Sequence, residues 1–119
     1  MTIINLTSES FITLVGDYET NPTDWKYVGN LPCIVDFTAP WCSYCKRLNP
    51  ILDEFAEAYD GRIIIYKVDV DQEEALETAF NIRTIPTLLF CPLVGTRESL
   101  IATMPKNELK ALIEEKLLR

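Results

Sequence analysis

Short apolar runs alternate along this chain with longer segments whose apolar residues recur every three or four positions. The run CIVDF, residues 33–37, is β-branched and apolar apart from one acid, which is typical of a buried strand. From Cys42 to Tyr59 the apolar residues instead follow the spacing of one helical face. This alternation favours folds in which helices connect the strands of one sheet.

The same patterns predict the order of the elements. They are strands at 3–6, 33–37, 62–70, 87–91 and, more weakly, 98–103, with helices at 8–15, 42–60 and 73–80 and a last helix from Lys106. Strands separated by a helix require crossovers and therefore parallel pairing, whereas the last two strands are close enough for a hairpin. We expect one α/β domain over residues 1–119, with a mixed sheet and helices on both faces.

A polar segment, residues 16–32, separates the first helix from the second strand. Its sequence NPTD, residues 21–24, places an asparagine before a proline and an acid shortly after it, which is a signal for the start of a helix. We therefore expect a helical turn that carries Trp25 and Tyr27.

Charge and hydropathy exclude several classes of partner. The 119 residues carry a net charge of -7, and the basic residues are scattered, so nucleic acid and anionic membrane surfaces are not expected partners. No apolar run approaches the roughly 18 residues that span a bilayer, and the first ten residues lack the pattern of a secretory signal. We expect a cytoplasmic protein, although a chain whose signal had been removed would look the same.

Two of the four cysteines, Cys42 and Cys45, stand two residues apart at the start of the second helix. A disulfide that closes so short a loop stabilises a fold by only about 2 kcal/mol, which argues against a structural bridge. A zinc site needs four ligands, but the chain has no histidine, and Cys33 and Cys91 lie in strand patterns, so we expect no metal. Buried thiols of the latter kind are usually inert.

A redox-active pair explains the position of Cys42 and Cys45 better. Unpaired amides and the positive end of the helix dipole stabilise a thiolate at a helix N-terminus, so the pKa of Cys42 should be low. Cys45 lies one turn further on. We expect an exposed nucleophile at Cys42 and a sheltered second thiol at Cys45, which together make and break a disulfide with another molecule.

At this point the sequence resembles a known family. VDFTAPWCSYCK, residues 35–46, is followed by Pro50 within the helix and by IRTIPT, residues 82–87, and this combination is similar to the thioredoxin family from Ser8 to Leu117. The resemblance implies the thioredoxin fold and a thiol-disulfide oxidoreductase that reduces protein disulfides without a bound cofactor.

The resemblance also implies roles for four residues. Cys42 corresponds to the attacking thiol and Cys45 to the resolving thiol. Asp36 corresponds to a buried carboxyl that takes the proton of Cys45, and its apolar neighbours are expected to raise its pKa. Lys67 corresponds to a lysine that pairs with this acid. The alternatives are an exposed Asp36 at a strand end and an outward-facing Lys67 at a sheet edge.

Three further residues are expected to bind substrate. Trp41 forms an apolar shoulder beside the cysteines, although simple packing in the core is the alternative. Pro86 corresponds to the family's cis-proline, which with Ile85 lies against the cysteine pair and offers backbone groups to an extended peptide.

The sequence departs from the family at three places. Ser43 and Tyr44 stand where thioredoxins typically have Gly-Pro; the amide of Tyr44, which a proline would lack, is expected to point toward the Cys42 sulfur and make the disulfide more oxidising. Ala102 replaces a glycine of the substrate-facing patch and is expected to narrow that surface. The segment 16–32 is longer than in a minimal thioredoxin, and we interpret it as a cap over the core rather than a partner-facing feature.

We therefore predict a monomeric protein-disulfide reductase. Its electrons would come from a thioredoxin-reductase-like enzyme or another thiol protein. An oxidase or isomerase of the same fold, or a glutathione-linked carrier suggested by Tyr44, is the nearest alternative, although no basic cluster for glutathione accompanies the site. A redox-silent binding module is the alternative from another class, and the intact cysteines, Asp36 and Pro86 argue against it.

Overall fold

Within residues 3–119, which the computed structural model describes, the chain forms one five-stranded sheet and four helices. The strands are β1 (Ile4–Asn5), β2 (Cys33–Thr38), β3 (Ile64–Asp69), β4 (Thr87–Cys91) and β5 (Glu98–Ile101), and the helices are α1 (Ser8–Leu14), α2 (Ser43–Ala58), α3 (Glu74–Ala79) and α4 (Lys106–Leu117). The predicted order of elements is confirmed. Met1 and Thr2, which the predicted domain includes, lie outside the described residues.

The sheet is mixed, as predicted, but one strand runs in an unexpected direction. The strand order is β1-β3-β2-β4-β5, with β1 and β2 parallel to β3 and with β4 antiparallel to both β2 and β5. The expectation that strands separated by a helix pair in parallel is wrong for β4. The six residues of α3 span only about 9 Å, whereas a six-residue strand is about 20 Å long, so this helix does not return the chain to the other end of the sheet.

The two faces of the sheet bury separate apolar cores. Cys33, Val35 and Phe37 point to the core that α1 and α3 cover. Ile34 points to the opposite core, which α2 and α4 cover. Because side chains alternate along a strand, Asp36 shares the face of Ile34 and lies on the side of α2. The expected placement of helices on both faces is confirmed.

Residues 16–32 form a cap without the predicted helical turn. Residues 22–24 form a turn, and Trp25 and Tyr27 follow it in irregular backbone. The expectation of a helix here is wrong because residues beyond this turn find partners elsewhere; the Val28 amide, for example, donates to the Val15 carbonyl at 2.9 Å. Trp25 is 2% exposed and packs edge-on against Phe11, so the segment covers the core as predicted.

Two contacts hold the cap in place. A Cβ atom at Gly16 would lie 2.0 Å from the Trp25 ring, so only glycine allows the ring to lie this close to the backbone. On the other side the Arg97 guanidinium lies 3.7 Å from the centre of the Trp25 ring and donates to the Trp25 carbonyl at 2.9 Å.

None of the helices in residues 3–119 has the length and apolar character that spanning a bilayer requires.

Candidate active site

The cysteine pair lies where β2 ends and α2 begins. Cys42 is the N-cap residue of α2 and is bonded to Cys45 in a disulfide, with 5.2 Å between the two Cα atoms. The Cys45 amide donates to the Cys42 sulfur at 3.2 Å. The sulfur of Cys42 therefore occupies the position in which a capping side chain accepts a hydrogen bond from the first turn of a helix. The same position favours a thiolate once the disulfide is reduced.

Cys42 is less accessible than the sequence suggested. Cys42 is 6% exposed, so the expectation of an exposed thiol at this position is wrong. Cys45 is 1% exposed, and its expected shelter is confirmed. One reason for the low exposure of Cys42 is the loop before β4, whose Ile85 carbonyl oxygen lies 3.9 Å from the Cys42 sulfur. Cys42 nevertheless remains the more accessible member of the pair.

The loop that faces the pair contains a cis peptide bond between Ile85 and Pro86, as the resemblance implied. Ile85 is half-buried and Pro86 is buried, and the Pro86 carbonyl accepts a hydrogen bond from the Ala102 amide at 2.9 Å. Ala102 is 4% exposed and belongs to the core beneath α2 and α4. The expectation that it narrows an exposed substrate surface is therefore wrong, because its side chain packs inward.

Trp41 stands out from the surface beside the cysteines. It is 67% exposed, so packing in the core does not explain it. Its indole N–H donates to the Asp71 carboxylate at 2.7 Å. Asp71 was missed in the sequence, although it lies two residues beyond the end of β3, and the carboxyl ends of the parallel strands β2 and β3 meet at one edge of the sheet. The hydrogen bond fixes the orientation of an otherwise exposed ring.

Asp36 is the only charged residue that is buried in the core of residues 3–119. Its side chain is fully buried, and neither carboxylate oxygen has a hydrogen-bond partner. Burial raises the pKa of this carboxyl from 3.8 to about 7, and the charge of Lys67 offsets part of the effect. The alternative of an exposed acid at a strand end is wrong. Near neutral pH the group can hold or release a proton.

Lys67 lies opposite Asp36 in the parallel pairing of β2 with β3. It is half-buried, and β3 lies between β1 and β2, so the alternative of a lysine on a sheet edge is wrong. Among residues 3–119 the ion pairs are Lys106 with Glu54 and Lys116 with Glu98, so Lys67 acts on Asp36 through its charge and not through an ion pair. A cavity of about 350 Å³ is lined by Lys67 and Asn49.

Tyr44 does not supply the hydrogen bond that the sequence suggested. The amide that donates to the Cys42 sulfur belongs to Cys45, so the expected role of the Tyr44 amide is wrong. In an N-cap arrangement the side chain of the capping residue reaches the second or third amide of the helix, and here it reaches the third. The Tyr44 ring is 56% exposed, and the Arg47 guanidinium lies 4.5 Å from its centre.

We therefore expect Tyr44→Pro to leave the redox potential nearly unchanged. Proline is tolerated in the first turn of a helix, and the Cys45 amide stays in place. Equilibration with glutathione should give a shift well below about 30 mV, the value that corresponds to about 1.4 kcal/mol. Tyr44→Ala is the matched control, since it keeps the amide and removes the ring. A potential more negative by about 30 mV in the proline variant alone would restore the role of the Tyr44 amide.

Comparison with known proteins agrees with this site. A family model described as Thioredoxin matches residues 18–115. A thioredoxin of Borreliella burgdorferi is 35% identical over 112 residues, which cover 94% of this chain and 95% of that protein. A thioredoxin of Haemophilus influenzae is 35% identical over 98 residues, which cover 80% of this chain and 92% of that protein. A chloroplastic M-type thioredoxin of Spinacia oleracea is 40% identical over 102 residues, but these cover only 56% of that protein.

The matched region includes every element from β2 to β5 and most of α4. It therefore contains the disulfide at the start of α2, the loop with the cis bond before Pro86 and the buried Asp36. The chain is a member of the thioredoxin family, with the fold of that family and a redox-active pair of cysteines.

Proposed function

We propose that this protein reduces disulfides in other proteins, with Cys42 as the attacking thiol and Cys45 as the resolving thiol. The observation that carries the assignment is the difference between the two sulfurs. Cys42 is the more accessible of the pair, and its sulfur accepts a hydrogen bond from the Cys45 amide at the start of α2. A thiolate at this point is stabilised before substrate arrives.

The reaction takes place in two exchange steps. The Cys42 thiolate attacks one sulfur of a substrate disulfide, that bond breaks, and the departing substrate thiolate takes up a proton. Cys45 then transfers its proton to the Asp36 carboxylate and attacks the Cys42 sulfur, which releases the second substrate thiolate. Two electrons pass to the substrate, and the protein is left with the Cys42–Cys45 disulfide. Lys67 lowers the pKa of Asp36 and so keeps part of this base ionised near neutral pH.

The surface around the pair supports binding of an extended peptide. Trp41 precedes Cys42 and Tyr44 lies between the two cysteines, and both residues present exposed aromatic rings. Asp71 fixes the orientation of the Trp41 ring. The Ile85 carbonyl beside Cys42 is a backbone acceptor for a substrate amide. In this proposal Pro86 holds that loop in position. A thioredoxin-reductase-like enzyme or another thiol protein in the cytoplasm supplies the electrons, and the protein acts as a monomer.

Reduction of insulin by dithiothreitol tests the proposal. The protein should accelerate precipitation of the free insulin chains, and Cys42 and Cys45 should equilibrate with glutathione at a potential near that of thioredoxin, about −270 mV. A potential of about −180 mV would favour an isomerase of the same fold, and one of about −120 mV would favour an oxidase. No acceleration, with no exchange of Cys42 and Cys45, would leave the redox-silent binding module as the better reading.

A further inference from the structure

The remaining two cysteines face each other across two inner strands of the sheet, at one end of each strand. Cys33 is the first residue of β2, Cys91 is the last residue of β4, and the two are direct partners in the antiparallel pairing of these strands. Both are free thiols and both are fully buried. They belong to the same apolar core, on the face that α1 and α3 cover. The chain therefore holds a second close pair of cysteines, outside the active site.

Cys33 and Cys91 are placed close enough to form a disulfide. Directly opposed residues of an antiparallel pair have Cα atoms about 4.5 to 5.5 Å apart, with their side chains on the same face. A disulfide needs Cα atoms roughly 4.4 to 6.8 Å apart. Closing a bond between Cys33 and Cys91 therefore requires rotation of the two side chains and little movement of the backbone.

The closed fold keeps these thiols unreactive. A hydrogen bond with the Cys33 side chain, together with burial, raises the pKa of the Cys91 thiol. The Tyr27 phenol lies in the same environment; burial and the proximity of Cys33 raise its pKa. Since the thiolate is the form that attacks a disulfide, reaction requires at least one of the two cysteines to become accessible to solvent.

A local opening on the Cys91 side is enough to expose one of the two thiols. Cys91 is the last residue of β4 and leads into a loop, where opening costs less than global unfolding. The turn that follows Cys91 is exposed, with Leu93 at 52% and Val94 at 92%. A pocket of about 500 Å³ between this turn and the cap reaches Cys91 and Tyr27. Movement of the turn alone would uncover Cys91 first.

We propose that Cys33 and Cys91 form a second redox site, a cross-strand dithiol that a low-molecular-weight disulfide such as glutathione disulfide oxidises. After local opening Cys91 loses its proton and attacks the oxidant, whose bond breaks to release one glutathione thiolate that takes up the proton. Cys33 then loses its proton and attacks the Cys91 sulfur, which releases the second glutathione. Two thiols are oxidised to one disulfide, and glutathione disulfide is reduced to two molecules of glutathione.

This site works independently of Cys42 and Cys45. Cys33 begins β2, whereas the active site follows the other end of the same strand. The strand is six residues long, so roughly 17 Å of chain separates the two sites. The new bridge would tie together two central strands and stabilise the fold, since it closes a long loop.

The test uses the full chain with Cys42→Ser and Cys45→Ser, so that only the second pair can react. The protein is equilibrated in glutathione buffers from reducing to oxidising, with and without urea below its unfolding transition, then alkylated and mapped by mass spectrometry. We expect the loss of two hydrogen atoms and a cross-linked peptide that joins Cys33 to Cys91. Urea should speed the approach to this product, and the oxidised protein should unfold at a urea concentration higher by about 1 M or more.

Cys33→Ala and Cys91→Ala, each made in the same background, are the matched controls. Each should give no internal cross-link, and the oxidant should not raise its unfolding midpoint. The proposal is overturned if the most oxidising buffer leaves both thiols free in the native protein and in dilute urea. It is also overturned if the bridge forms only above the unfolding transition, joins two molecules, or lowers the unfolding midpoint.

Discussion

Replacing Cys45 with serine is expected to convert the protein into a trap that holds its substrates through Cys42. The first exchange step needs only the Cys42 thiolate, whereas release of the substrate needs the Cys45 sulfur, which serine lacks. Catalysed insulin reduction should fall to the rate of dithiothreitol alone. Mixed disulfides should accumulate with up to one substrate per molecule, and a gel run without and then with reductant should separate and release them.

Cys42→Ser is the matched control, because it makes the same change of sulfur to oxygen three residues earlier. The remaining thiol, Cys45, is 1% exposed, so a substrate disulfide has little access to it. This variant should lose insulin reduction as completely as Cys45→Ser but should capture nothing. Capture through Cys45, with none through Cys42, would reverse the two roles.

The sequence predicts those features of this molecule that neighbouring residues determine. Asp36 lies within CIVDF, and a strand with apolar residues on both sides of an acid is a buried strand, so burial and a raised pKa follow from local sequence. The position of Cys42 at the helix start follows from the change of period from strand to helix. Both properties depend on a few consecutive residues, which the chain displays directly.

Features that depend on partners distant in sequence could not be predicted in the same way. The hydrogen bond from Trp41 to Asp71 joins loops after two different strands, and the opposition of Cys33 to Cys91 depends on the register of β2 with β4. A shift of one residue in that register would have placed different side chains together. The direction of β4 is set by the length of α3, which no pattern within β4 reveals.

Asp36→Asn is expected to stabilise the oxidised protein, by an amount that grows with pH. Below about pH 4 the carboxyl is protonated in both the folded and the unfolded chain. From there to about pH 7 the unfolded chain releases the proton while the folded protein keeps it, so the folded protein loses stability as pH rises. The shift from 3.8 to about 7 corresponds to about 4 kcal/mol. Urea unfolding should therefore show a gain of up to about 4 kcal/mol above pH 8, and little gain near pH 4.

Asp53→Asn is the control, since it removes an exposed carboxylate from α2 and should change stability by less than about 0.5 kcal/mol. A gain in Asp36→Asn that is the same at pH 5 and pH 9 would mean that ionisation of Asp36 is not its cause.

The same variant also tests whether Asp36, which destabilises the folded protein, takes part in catalysis. If Asp36 accepts the proton of Cys45, the more stable variant should release substrate at least about tenfold more slowly at pH 7. Its release rate should also lack the rise through pH 7 that we expect of the wild type, because asparagine cannot ionise.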